Sequence, residues 1–130
     1  MMTYLKALSY NENLYEYNKA NKEGFNEVVF LNIYGNIAEG ATSNIFIIKD
    51  KKIYTPKISD GILPGVVRNW VIKNFRVCEK HLDKEDLYSA DEVFITNSIL
   101  GIMKIVQFEE RSYSTSMVER IRSEYEQFII

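Results

Sequence analysis

Strand-forming and helix-forming patterns alternate along this chain of 130 residues, and the mixture predicts an α/β domain with a mixed sheet. Three observations carry that prediction. The runs Val28-Val29-Phe30-Leu31 and Ile45-Phe46-Ile47-Ile48, rich in β-branched and aromatic residues, have the length and composition of buried strands. Between later strands, Pro64-Gly65 and Asp83 have the chemistry of helix openings. Near the end, Met117, Ile121, Tyr125 and Phe128 recur at helical spacing, a stripe suited to core or interface packing.

Residues 3–10, Thr-Tyr-Leu-Lys-Ala-Leu-Ser-Tyr, form a short segment with one lysine, Lys6, among apolar and aromatic residues. A lysine so placed ordinarily lays its stem on apolar surface and keeps its ammonium in water. Asn11-Glu12-Asn13-Leu14 opens a helix that runs to Lys22, with Asn11 or Asn13 near the cap and Gly24 beyond the far end. Glu23 to Glu27 leads into the first apolar strand. Asn44 to Asp50 is the next, Asp50-Lys51-Lys52 a charged hairpin turn, and Ile53-Tyr54-Thr55 the return strand. Pro56 to Asp60 is a loop, and a helix from Gly65 to about Phe75 carries Trp70, Val71 and Phe75 on its apolar side. Arg76 to Lys80 reads as a strand. Asp83 caps a short helix through Leu87, with acids in its first turn. Asp91 to Ser98 is a strand with a polar end, and Met103 to Arg111 a further strand pair or ribbon. Ser114 or Ser116 caps the last helix. With no repeats and no low-complexity linker, residues 1–130 form one domain.

Composition narrows the function. The chain is 46% hydrophobic and 26% charged, as soluble globular proteins are, and its net charge of -2 gives no reason to expect nucleic acid or an anionic membrane as partner. No apolar run reaches spanning length, and no basic-then-apolar signal pattern opens the chain. A lone cysteine, Cys78, excludes an internal disulfide, and with a lone histidine, His81, it cannot build a metal cluster. His81 is expected on a polar surface, and the protein in the cytoplasm.

The chain is organised around Gly35-Asn36-Ile37-Ala38-Glu39-Gly40-Ala41-Thr42-Ser43-Asn44-Ile45-Phe46. One acid, Glu39, sits between two apolar strands, followed by small and hydroxyl residues. Such a carboxylate is costly to bury unless a positive or hydrogen-bonding group meets it. Residue types alone leave open a tight strand connection with a solvated acid. The string Ala38-Glu39-Gly40-Ala41-Thr42-Ser43-Asn44-Ile45-Phe46, however, resembles the signature of the fold-type IV pyridoxal-phosphate enzymes, the class IV aminotransferase family. That family includes branched-chain and D-amino-acid aminotransferases and aminodeoxychorismate lyase. The resemblance implies a barrel-like core with flanking helices, the C-terminal, cofactor-binding domain of the D-amino-acid aminotransferase-like fold.

The resemblance also assigns roles. It puts Glu39 beside the pyridine nitrogen of pyridoxal 5'-phosphate, where a carboxylate favours the protonated ring and so a better electron sink. Lys6, with Leu8 and Tyr10 after it, matches the pattern that carries the lysine forming the Schiff base with the cofactor. The turn Gly61-Ile62-Leu63-Pro64-Gly65-Val66-Val67-Arg68 matches the one that opens a phosphate-holding helix, the general anion site at a helix start. By itself such a turn is more often a Pro-Gly helix opening with no ligand. Leu63 would pack on the ring, and Gly65 with the amides of Val66 and Val67 would face the phosphate. Relatives commonly have Thr or Ser where this chain has Val67, so one hydroxyl contact is lost. Ser98 falls where relatives place a phosphate-contacting hydroxyl, and Asn97-Ser98-Ile99-Leu100-Gly101-Ile102 looks more like the lyase branch than the Gly-Thr-Ala-Ala-type string of branched-chain aminotransferases.

By this resemblance the chain is expected to serve a lyase that forms 4-aminobenzoate, a folate precursor, and pyruvate from an amine substrate. A branched-chain or D-amino-acid aminotransferase is the alternative. Relatives have a smaller N-terminal domain before the lysine that supplies a phosphate-binding arginine; here Met1-Met2 stand a few residues before Lys6, so that domain is expected to be absent. A non-catalytic fragment that keeps the fold is therefore a third expectation. Family members are commonly dimers, and a homodimer is expected, built partly through the Lys6 segment and first helix.

Overall fold

A computed structural model of the chain describes residues 4–9, 27–31, 37–40, 43–57, 65–98 and 100–129. In chain order these form β1 (Tyr4–Ser9), β2 (Glu27–Leu31), β3 (Ile37–Gly40), β4 (Asn44–Lys49), β5 (Lys52–Thr55), α1 (Val66–Asn74), β6 (Val77–Glu79), α2 (Lys84–Ser89), β7 (Glu92–Asn97), β8 (Gly101–Ile105), β9 (Gln107–Phe108), β10 (Arg111–Ser112) and α3 (Ser116–Phe128). The expected helix over residues 11–22 and the turn at 61–64 lie outside the described residues.

Two five-stranded sheets result, ordered β10-β9-β1-β2-β3 and β6-β5-β4-β7-β8. Both are mixed. In the first, β1 runs parallel to β2 and β9 while β2–β3 and β9–β10 are antiparallel. In the second, only β5–β6 is parallel. The mixed α/β architecture with flanking helices is the one the sequence predicts.

The central strands β4 and β7 are apolar on both faces, as strands covered on both sides must be. Ile45, Ile47, Val93 and Ile95 point into one core with Ile37, Leu82, Leu87, Ile105, Phe108 and Tyr113, so residues of both sheets and of α2 share it. Phe46, Ile48 and Phe94 point the other way, into a core closed by Val67 and Val71 of α1 and Val118 and Ile121 of α3. There the rings of Phe46 and Phe94 stack with centroids 4.8 Å apart. Each such side chain contributes on the order of 2 kcal/mol by leaving water.

Local chemistry sets the connections. Asp50 and Lys51 have φ of 51° and 66°, the two left-handed residues of a tight hairpin between β4 and β5. Asp83 accepts from the Asp86 amide at 3.1 Å while the Asp86 carboxylate accepts from the Asp83 amide at 2.9 Å, a reciprocal cap on α2. The last helix departs from expectation. Its N-cap is Thr115, whose side chain makes no cap bond, and neither Ser114 nor Ser116 caps it. The buried Glu92 of β7 accepts from the amides of Met117, at 3.0 Å, and Val118, at 2.9 Å. A carboxylate suits the positive end of the helix better than a serine does. His81 is exposed.

Candidate active site

Lys6 lies in β1 and Glu39 in β3, with β2 between them. Lys6 pairs with Val28, and Glu39 pairs with Phe30, two residues along the same strand. Positions two apart on a strand share a face of the pleat, so the register puts residues 6 and 39 on the same side of the sheet. Strand spacing and rise place their Cα atoms about 12 Å apart. A ladder irregularity between Phe30 and Leu31 lies just beyond the Glu39 pair and leaves that parity intact. Past Gly40 the chain passes to the second sheet, where β4 begins at Asn44. One continuous stretch thus joins the acid-bearing strand to the centre of the other sheet.

The second group of residues gathers at the start of α1. This helix is the crossover between the parallel strands β5 and β6, so its N-terminus sits beyond the carboxyl end of β5, where open α/β sheets bind ligands. Gly65 is its N-cap and provides no side-chain cap, which leaves the first amides to another acceptor. Val66 is 77% exposed, whereas Val67 is 3% exposed and turns into the core beneath the helix. The place where the resemblance leads one to expect a hydroxyl is therefore filled here by a packed valine. Gly65 lies against Asn44: a Cβ added at residue 65 would fall 2.6 Å from Asn44 Oδ1. Asn44 in turn pairs across the ladder with Thr96, whose hydroxyl is buried and has no hydrogen-bond partner among the described residues.

A helix start without a side-chain cap, a glycine cradle that a methyl group would fill, and a buried hydroxyl with no partner among the described residues form a setting that fits a phosphate. Ser98, two residues beyond Thr96, is exposed in the turn after β7 and lines a cleft of about 510 Å3 with Leu100, Gly101, Ile102 and the end of α3. Leu63 lies outside the described residues.

Asn44 and Thr96 were not singled out from the sequence. Asn44 stands inside the glutamate string, and Thr96 interrupts an apolar strand; either fact is a signal, but only the β4–β7 register joins them. Among the described residues, the groups whose pKa shifts lie at another corner. A hydrogen bond from Tyr88 to Glu109 pushes the Tyr88 hydroxyl up to about 12. Burial raises the Tyr113 hydroxyl, which donates to the Leu87 carbonyl.

Comparison with known proteins gives the family. The family model for amino-transferase class IV matches residues 2–108. The chain is 36% identical over 120 residues to an aminodeoxychorismate lyase of Bacillus subtilis, covering 88% of this chain and 41% of that protein. It is 36% identical over 92 residues to a branched-chain-amino-acid aminotransferase of Escherichia coli K12, covering 67% of this chain and 30% of that one. The crystal structure of an aminotransferase from Brucella abortus bound to the co-factor PLP superposes with a TM-score of 0.86 at 26% identity, over 98% of this chain and 54% of that chain. The chain thus spans less than half the length of these curated relatives. With the signature around Glu39, the matching sheet and the family match over most of its length, the chain belongs to the class IV aminotransferase family.

Proposed function

We propose that this chain binds pyridoxal 5'-phosphate and serves a lyase that releases 4-aminobenzoate and pyruvate. The observation that carries the reading is the register that brings Lys6 and Glu39 to one face of a sheet, with a single strand between them. The cofactor, when bound, supplies an electron sink for the bond that breaks beside the substrate nitrogen.

The chain's own residues do the rest. Lys6 is the attachment point, and its amine moves the proton beside the substrate nitrogen. Glu39 holds a proton on the ring nitrogen. The amides of Val66 and Val67 bind the phosphate at the N-cap Gly65, with Asn44, Thr96 and Ser98 as polar neighbours. Leu63 covers one face of the ring and excludes water there.

The residues around Ser98 favour the lyase, since Asn97-Ser98-Ile99-Leu100 departs from the string typical of branched-chain aminotransferases. The Escherichia coli relative favours the second reading, an aminotransferase, which uses the same lysine and glutamate. An assay for 4-aminobenzoate formation beside one for glutamate-dependent amination of keto acids separates the two. We expect the first to be positive; activity in the second alone would replace the lyase with the aminotransferase.

A further inference from the structure

Arg68 stands in the first turn of α1, two residues after Val66, and is only 2% exposed. A cation there is opposed by the helix dipole, and a buried guanidinium is costly unless its donors are met. Solvation does not account for it, and its buried Nε has no hydrogen-bond partner among the described residues. What holds it is a pair of acceptors from outside the helix. Its Nη2 donates to the Pro56 carbonyl at 3.1 Å, just past β5, and to Glu79 Oε1 at 2.8 Å, on β6. Glu79 is 42% exposed, so one partner of the pair reaches water while the other does not. A single nitrogen therefore ties the first turn of the crossover helix to both strands that the helix connects.

We propose that Arg68 is a positioning residue for the anion site: its tie to Pro56 and Glu79 fixes where the Gly65–Val67 amides stand relative to Asn44 and Thr96. The inference rests on the reading that this helix start holds the cofactor phosphate. The clearance at the site is small, because Gly65 already lies against Asn44, and a shift of the helix start by a fraction of an ångström would close the space or open the clamp. Lysine does not replace arginine here. Its shorter side chain ends in a strongly hydrated ammonium that is costlier to bury and lacks the guanidinium's reach and fixed plane.

The test compares the wild type with Arg68→Lys and Glu79→Ala. Three measurements are made on each protein: pyridoxal phosphate affinity by absorbance, thermal midpoint without cofactor, and amide hydrogen exchange without cofactor. We expect Arg68→Lys to weaken affinity at least tenfold and to speed exchange in peptides covering 65–69, with β7 and β8 unchanged. Glu79→Ala, at a half-exposed site, should speed exchange in the same peptides and weaken affinity three- to tenfold. Affinity within twofold of the wild type in both variants overturns the proposal. So does exchange that quickens uniformly over the chain, which marks ordinary destabilisation. Should Arg68→Lys fail to fold, Glu79→Ala decides by the same criteria. If the wild type binds no pyridoxal phosphate, the proposed function fails, while local exchange in the cofactor-free proteins still decides whether Arg68 fixes the helix start.

Discussion

Single residues at the helix start make the sharpest demands. Gly65→Ala puts a Cβ 2.6 Å from Asn44 Oδ1, so Asn44 or the helix must move. The expected result is pyridoxal phosphate affinity reduced about tenfold, ~1.4 kcal/mol, with a thermal midpoint within a few degrees of the wild type; titration and melting on the same sample check it. Unchanged affinity would mean the phosphate is held elsewhere. Glu39→Gln keeps the size of the side chain and removes its charge. It should leave the cofactor bound and lower turnover by about 100-fold, ~2.7 kcal/mol of barrier, read as kcat in the lyase assay. Legibility among residues was uneven. Lys6, Glu39 and Gly65 stand out because a motif is a local string. The places of Val67, Asn44 and Thr96 depend on which face of a helix or strand meets the core, and no string records that. Val67 illustrates it: the sequence shows only a missing hydroxyl, whereas the structure shows a valine 3% exposed that fills the core beneath α1.

Elements were legible where their signals are local. The cap at Asp83 lies three residues from its partner Asp86, and the hairpin turn at Asp50-Lys51 is contiguous. The cap on α3 was not legible, because Glu92 lies 25 residues from Met117 and reaches it only through the fold. Glu92→Ala should therefore destabilise the chain by about 2 kcal/mol, the upper range for a lost helix cap, since one buried and one part-buried amide lose their acceptor. Urea unfolding would show it as a lower midpoint with unchanged slope. Ser114→Ala and Ser116→Ala should change little, and a larger loss from either would put the cap back on the serines. Tyr113 ties β10 to α2 by donating to the Leu87 carbonyl. Burial raises its hydroxyl pKa above 10, with Arg111 pulling the other way and Tyr88 and Glu109 adding to the rise. Below pH 10 both folded and unfolded forms keep the proton. Above it only the unfolded form releases it, so stability falls as pH rises past 10. Melts at about pH 9 and 11, on either side of the ordinary tyrosine value, should show a smaller loss for Tyr113→Phe than for the wild type. Equal losses would mean that Tyr113 does not drive the alkaline slope.

Across the whole molecule, the alternation of strand and helix patterns was enough to predict a mixed sheet. It could not give the division into two sheets, because pairs such as β1 with β9 join residues as distant as Tyr4 and Gln107. Association is also a property of the whole chain. Phe128 and Ile129 at the end of α3, with Leu100 nearby in the cleft, are exposed apolar side chains, and such surface favours a partner. A homodimer is the expected state, closed by two-fold symmetry, and light scattering over a dilution series should give twice the chain mass; a monomer mass that persists at high concentration removes it. Cofactor binding itself turns on whether Lys6 and Glu39 frame a pyridoxal phosphate site. The near-ultraviolet to visible absorbance of the chain titrated with pyridoxal phosphate, run beside Lys6→Ala, decides that. A saturable band at one cofactor per chain should survive dialysis in the wild type and be missing from a folded Lys6→Ala variant. A band that persists in the variant, or a reduced adduct that maps to Lys49, Lys52 or Lys73, would show that Lys6 is not the attachment point.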